Sequence, residues 1–408
     1  MRFLLTFFLT FAPMKRFFLH IIIFISASLW LESCKEKENL PTPDEGISIQ
    51  DSTEFTAILY MLAEGLGDYW TEQDIKELVS GKDQIPENAR VVIYIDYAKD
   101  KYGQDRPPVI YQVDAKHGKR VWMTYENDED CTDSLTMLRN LKHITTYFPA
   151  RKYGITFSAH GSGWTFRHKA KRRAIGWDNT YGTNYLNIPT LRGVLENLPR
   201  MEYVFFDVCF MQCVEVAYEL RNTTRWVIGS PAEIPKIGAP YDLLARPLTE
   251  GDVEGIVRNY EGYFLKSSYP GILLSAARCD KLDTLAIATS AYVKEHFADK
   301  GTLANTYNIQ RYSDFSDFTY CYDIRSLMYN MLSESEYLDW MEVYEMAVPI
   351  RAIGTGRWMA DFCISPYVRY PEQYGGMSMF IPEYTSQMTQ DLHLLQWYTG
   401  AGWATTGW

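Results

Sequence analysis

Two residues set the chemistry open to this sequence: a histidine and a cysteine, each closing a short apolar run. The first run is Tyr153-Gly-Ile-Thr-Phe-Ser-Ala-His160-Gly-Ser-Gly-Trp164, and the second is Met201-Glu-Tyr-Val-Phe-Phe-Asp207-Val-Cys209-Phe-Met211. A thiol attacks a carbonyl only as thiolate, so its free pKa of about 8.5 must fall for useful activity at neutral pH. A nearby imidazole can take the proton and later return it to a leaving amine. Gly161 follows the histidine directly. Its N–H, with that of Cys209, would supply two donors to a tetrahedral oxyanion, and glycine lets a substrate carbonyl come close.

Such a pair works only if the fold brings its members together. Both runs have the β-branched and aromatic content of buried strands, and residues 188–198 between them read as a helix. Strand, helix, strand makes a right-handed crossover, with the two strands as parallel neighbours about 4.8 Å apart. Their carboxyl ends then open onto one sheet edge, where open α/β sheets place ligands. A helix over 212–221 is expected to aim its positive end at Cys209 and lower the thiol pKa further.

The rest of the chain supplies the sheet. Residues 54–63, 90–96, 225–229 and 271–276 read as strands, and 108–113 with 121–125 as short strands or a hairpin. Helices are expected over 71–79, with Thr71 as N-cap and Asp74 at its third position, over 131–148 and over 281–296. An aromatic-rich helical pattern dominates 302–351, and 375–382 reads as a last strand. The fold class is α/β: a mainly parallel sheet covered by helices on both faces, with a mixed helical C-terminal subdomain. The divisions expected are a catalytic domain over 51–250 and, packed on it, a C-terminal subdomain over 251–408.

Residues 1–33 read as a signal peptide: the basic pair Lys15-Arg16 precedes an apolar run that is short for a membrane span. Met14, just before the basic pair, is the better start than Met1. The run stops at Leu31-Glu-Ser-Cys34, and residues 34–50 form a charged, turn-rich tether. A net charge of −11 for the whole chain becomes more acidic once Arg2, Lys15, Arg16 and Glu32 are removed with the leader, which argues against nucleic acid as a partner. Seven cysteines show no paired spacing for a disulfide framework or a zinc set. Cys209 and Cys213, four apart, would share one face of a helix; a redox pair is open to them, and Cys213 as a core residue is the plainer reading. Asp128, Asp130 and Asp133 lie close together but without EF-hand spacing, so metal stays unassigned.

The two blocks around His160 and Cys209 resemble the signature blocks of the clostripain family of cysteine peptidases, relatives of caspases, legumains and gingipains. Ala174-Ile-Gly-Trp-Asp178, the loop from Ile228 through Tyr241 and the segment from Gly375 resemble further family blocks. The resemblance implies a caspase-like sheet, a His160/Cys209 dyad and hydrolysis of proteins or peptides after arginine or lysine through an acyl-thioester, with no organic cofactor and with calcium left open. It makes Asp207 the leading carboxylate for a basic side chain, ahead of Glu233 and Asp242. Here Pro231-Ala232 replaces the consecutive glutamates that relatives often carry after the serine. The resemblance also implies self-cleavage in a basic loop, after Lys171, Arg172 or Arg173. The segment ending at Cys34 resembles a bacterial lipobox, and the charged run behind it resembles the surface-export signal of Bacteroidetes lipoproteins. That likeness implies a lipid anchor on Cys34 in the outer membrane, facing the cell surface. A rival reading makes the 11 Trp and 30 Tyr an exposed platform for glycans or protein ligands on a relict peptidase fold. Exposed aromatics would favour that rival, and a buried aromatic core would not.

Overall fold

Strand β1 (Thr53–Leu62) sends alternate side chains to opposite faces, and both faces are covered. Ile58, Tyr60 and Leu62 enter one core; Phe55, Ala57, Leu59 and Met61 enter another. A strand with no wet face needs no polar alternation, which is why it reads as an unbroken apolar run. The computed structural model describes residues 49–165, 175–180, 182–268, 271–297, 306–312, 321–358, 367–382 and 387–407. These lie within one compact unit, Gly46–Trp408.

After β1 come β2 (Ala89–Asp96), the hairpin β3 (Val109–Asp114) and β4 (Gly118–Thr124), and β5 (Ala150–Ser158). A small hairpin of β6 (Ile175–Asp178) and β7 (Asn184–Leu186) precedes β8 (Val204–Asp207), β9 (Trp226–Gly229) and β10 (Leu274–Arg278). Then follow β11 (Cys321–Asp323), β12 (Ile350–Ala352) and β13 (Ser378–Phe380). The main sheet has nine strands in the order β12-β10-β9-β8-β5-β1-β2-β3-β4. Its centre, β9-β8-β5-β1-β2, is parallel, and the two strands at each edge are antiparallel. It therefore takes strands from both sides of residue 250. The last apolar segment pairs with β11 in a separate two-stranded ribbon.

Helices α1 (Asp68–Ser80), α2 (Ser134–Tyr147), α3 (Ile188–Leu195), α4 (Val214–Leu220), α5 (Tyr241–Glu250), α6 (Val253–Lys266), α7 (Cys279–His296), α8 (Ile324–Met331) and α9 (Glu334–Ala347) cover the sheet and its ribbon. Met137, Leu191, Val216, Leu285 and Trp340 place α2, α3, α4, α7 and α9 in one core. Ile75, Leu244 and Ile256 place α1, α5 and α6 in the other.

Two helix starts differ from expectation. Helix α1 begins three residues before Thr71, after Gly67 at φ 80, and no side chain caps it. Thr71 is instead buried inside the first turn, with its hydroxyl donating to the Gly67 carbonyl at 3.2 Å. Gly67, at a positive φ, leads the chain into α1 and carries no side chain that could cap it. Helix α2 starts at Ser134 because Asp133 accepts from the N–H groups of Leu135 and Thr136.

The aromatics fill the interior. Trp164, Trp340, Trp397, Trp403, Tyr60, Tyr94 and Tyr203 are among the fully buried side chains, while exposed Tyr69, Tyr102 and Tyr329 sit on separate elements. That distribution disfavours the aromatic platform.

Candidate active site

Strands β5 and β8 pair in parallel with Ser158 opposite Asp207. His160 and Cys209 each lie two residues beyond that pair, so equal steps carry both to the same edge of the sheet. His160 is exposed and Cys209 half-buried. The His160 Nε2 is 3.1 Å from the Gly65 carbonyl oxygen. A carbonyl only accepts, so this hydrogen bond is made by a proton on Nε2. The imidazole also stacks on Trp177, with centroids 5.3 Å apart and planes 8° apart. Trp177 reaches it because β6 runs beside the histidine segment: the Gly176 N–H donates to the His160 carbonyl at 2.7 Å, and Gly161 bridges Ile175. Gly65 leaves room for this arrangement, since a Cβ there would stand 1.9 Å from the Trp177 ring. The sequence shows 174–178 as a motif, but its role in holding His160 emerges only from the β6 pairing. Gly65, on the loop after β1, gives no sequence signal at all.

Cys209 sits in a tight loop between β8 and α4, whose shape is set by backbone bonds. The Phe210 N–H donates to the Ala232 carbonyl and the Gln212 N–H to the Ser230 carbonyl, each at 2.9 Å. Phe210 has φ 63, a conformation an aromatic residue rarely adopts and one that collects at functional turns. The ribbon strand β13 braces the far side: the Ser378 N–H donates to the Gln212 carbonyl at 2.9 Å, and the Phe380 N–H to Glu215 Oε1 at 2.7 Å. Helix α4 starts only at Val214, so Cys209 stands outside its first turn. A helix field falls off within that turn, and the expected helix effect on the thiol gives way to a direct donor. That donor is the Ile234 N–H, 3.4 Å from the Cys209 Sγ. Cys209 and Cys213 do not share a helix face, because Cys213 is the buried N-cap of α4 and burial pushes its thiol up. Among the described residues Cys131, Cys209, Cys213, Cys279 and Cys321 are free thiols.

Asp207 is buried two residues before the nucleophile candidate. Its Oδ2 accepts from the Ala239 N–H at 3.1 Å and the Tyr241 hydroxyl at 2.9 Å, while its Oδ1 has no partner. Burial raises its pKa. Glu233 is half-buried on the loop that brings Ile234 to the thiol. Asp242 opens α5, with its main chain against Gly81 and its carbonyl accepting from Gln84 Nε2 at 3.0 Å. Sequence reasoning gave Asp74 only a helix-start role. The residue is buried in α1 with Oδ1 unpartnered, and its pKa is raised by burial first and by the charge of Asp207 second. Cys34, Lys171, Arg172 and Arg173 lie outside the described residues.

Two groups among the described residues bring three metal-ligand atoms within 4.8 Å: Asp96, Cys131 and Asp178, all buried, and Glu295, His296 and Glu336. Asp96 is pushed up to about 10 by burial and by Asp178, and its side chain bonds to Cys131 and Asp178. That environment favours a proton on Asp96 at neutral pH. Glu336 is engaged by the Ser333 capping box and by His296 at 2.9 Å. Asp128, Asp130 and Asp133 serve the loop before α2: they accept from the Thr180 hydroxyl, from Thr132 and Asn184, and from the first turn of α2.

The described sheet and its flanking helices are of the caspase-like α/β type, with His160 and Cys209 beyond neighbouring strand ends. The sequence profile described as Clostripain family matches residues 59–355, well over half the chain. The chain belongs to the clostripain family and is a cysteine peptidase. Among curated proteins none matches at a significant level. A secreted C11 cysteine protease from Bacteroides thetaiotaomicron, solved with an irreversible peptide inhibitor, is similar in fold with TM-score 0.74 at 23% identity; the match covers 86% of this chain and 99% of that one. An inactive zymogen C11 protease from Parabacteroides distasonis matches with TM-score 0.71 at 21% identity, over 86% and 99%. A B. fragilis cysteine protease is 27% identical with TM-score 0.52, over 57% of this chain and 99% of that one.

Proposed function

We propose that this peptidase cuts proteins or peptides after basic residues, with Cys209 as nucleophile and His160 as general acid and base. The observation that carries the reading is the Ser158–Asp207 register, which sets both residues two steps beyond one paired rung. With Nε2–H held by the Gly65 carbonyl, Nδ1 is the nitrogen that takes the thiol proton, and the same carbonyl steadies the imidazolium. The Ile234 N–H toward Sγ favours the thiolate. The thiolate adds to the scissile carbonyl, and the N–H groups of Gly161 and Cys209 receive the oxyanion. Collapse breaks the C–N bond as the imidazolium protonates the leaving amine, leaving an acyl-thioester that water hydrolyses with His160 as base. Asp207 meets the basic side chain of the residue before the cut.

The reading extends to the segments at either side. A signal core over 1–33 and the secreted relatives support export, and Cys34 after that core is the proposed site of a lipid anchor. The basic run from Arg167 to Arg173 suits an enzyme of this preference as its own substrate, and cleavage after Lys171, Arg172 or Arg173 is the proposed maturation step. The divisions at residues 33, 50 and 250 belong to the same proposal.

The test is hydrolysis of peptides with arginine, lysine or neutral residues before the scissile bond. Cys209→Ala and His160→Ala are expected to abolish turnover with melting temperature unchanged. Full activity in Cys209→Ala, together with insensitivity to thiol alkylators, would remove the assignment. In the same preparation the wild type should convert into two associated fragments while Cys209→Ala stays whole, and Cys34→Ser should move the protein from membranes to a soluble fraction.

A further inference from the structure

Asp74 has no part in the reaction just described, yet its surroundings make no sense as packing alone. It sits within α1, only 4% exposed, and its Oδ1 has no hydrogen-bond partner. Asp207 is likewise 4% exposed with an unpartnered Oδ1. The two carboxyls converge on one point: a Cβ placed on Gly238 would stand 2.9 Å from Asp74 Oδ1 and 3.4 Å from Asp207 Oδ2. Gly238, at φ +71, brings main chain without a side chain up to both acids, since a Cβ there would collide with Asp74 Oδ1. A third orphan, the buried Tyr260 hydroxyl, feels the charges of Asp207 and Cys209. Among the described residues no ion pair involves either aspartate. Two buried carboxylates without a cation are costly unless a proton or a cation is shared between them.

We propose that Asp74 and Asp207 together form the floor of the substrate side-chain pocket and receive one guanidinium between them, making Asp74 a second specificity-determining residue that favours arginine over lysine. The inference rests on Cys209 being the nucleophile, since Asp207 is fixed two residues from it. The orphan oxygens come from different elements, α1 and the end of β8. A planar guanidinium with five N–H donors can meet both, whereas an ammonium offers three donors on a compact, strongly hydrated charge. Burial, and for Asp74 also the charge of Asp207, lifts both carboxyls above their usual range, which favours a proton on the pair. The groups facing it are Glu77 from α1, Tyr241 and Asp242 from α5, Tyr260 from α6, and Ser158 and Cys209 from the strand ends. These groups are neutral or acidic; Lys236, on the Gly238 loop, holds its ammonium over the Trp70 ring of α1, and an arriving arginine brings its own charge to the pair and displaces the proton.

The test uses matched peptides with arginine, lysine or citrulline before the scissile bond, assayed with wild type, Asp74→Asn and Asp207→Asn. Asp74→Asn should lose on the order of a hundredfold in kcat/KM on arginine, less on lysine and little on citrulline. Its rate of Cys209 alkylation by iodoacetamide and its melting temperature check that the fold is intact. In the wild type, benzamidine binding should release a proton, read by calorimetry in buffers of different ionisation enthalpy. If Asp74→Asn keeps wild-type discrimination while Asp207→Asn loses it, the pair is overturned and cleavage after basic residues stands. If benzamidine binds without proton release, the pair is also overturned. Equal turnover of arginine and citrulline peptides by the wild type would overturn both the pair and the basic preference.

Discussion

The thiol–imidazole pair and the carboxyl pair both depend on the end of β8, two residues apart, yet they are built in opposite ways. His160 and Cys209 come from adjacent parallel strands, stand at the rim, and are held by backbone bonds and one stacked tryptophan. Asp74 and Asp207 come from a helix and a strand far apart in sequence, are buried, and keep unpartnered oxygens. The first pair is positioned by strand register and main-chain contacts. The second is incomplete, and its deficit is one positive charge. On the proposed reading, the reactive pair is placed by the backbone, while the acidic pair is matched to a cationic partner.

The comparison can be broken at several points. Asp207→Asn leaves an arriving cation half-paired, a loss of about 3–5 kcal/mol, so turnover of arginyl substrates should fall on the order of 10²–10⁴-fold. Alkylation of Cys209 by a small neutral reagent should be unchanged, which separates pocket from nucleophile. Gly65→Ala acts on the other pair, since its Cβ would collide with Trp177 and tip the imidazole. A misplacement near 1 Å costs on the order of a hundredfold in rate, and here the loss should be shared by arginine and neutral substrates alike.

Smaller effects sharpen the picture. Glu215→Ala strands the Phe380 N–H that braces the cysteine loop, and should lower unfolding stability by about 1–3 kcal/mol in a denaturant titration. The pH dependence of stability follows from burial of acids. Asp74, Asp207, Asp96 and Glu215 all have pKa values raised in the fold. Above the ordinary carboxylate range the native protein holds more of these protons than the unfolded chain, so stability falls as pH rises toward the raised values. The melting temperature should be lower at pH 8 than at pH 5.5, and Asp74→Asn should flatten that slope.

What was legible in the sequence follows the same division. Strands buried on both faces announce themselves by apolar runs, and the crossover rule then makes His160 and Cys209 neighbours. Helix starts were less legible, because Gly67 opens α1 without a capping side chain and the strained turn at Phe210 delays α4 to Val214. Asp74 has the look of a helix-start residue in sequence because its polar type fits an end. Its burial depends on α1 packing beside α5 and the loop at Gly238, which local spacing does not encode. The bracing of the cysteine loop by β13 is invisible for the same reason: its partners lie 165 residues apart.

The most direct test of the account is covalent. The wild-type protein is treated with an irreversible peptidyl ketone ending in arginine, and the labelled residue is mapped by mass spectrometry in wild type, His160→Ala and Asp207→Asn. The account predicts one label, on Cys209, formed much more slowly in both variants and outcompeted by benzamidine in the wild type. Labelling of another cysteine, or labelling of Cys209 at the wild-type rate in His160→Ala, would contradict it.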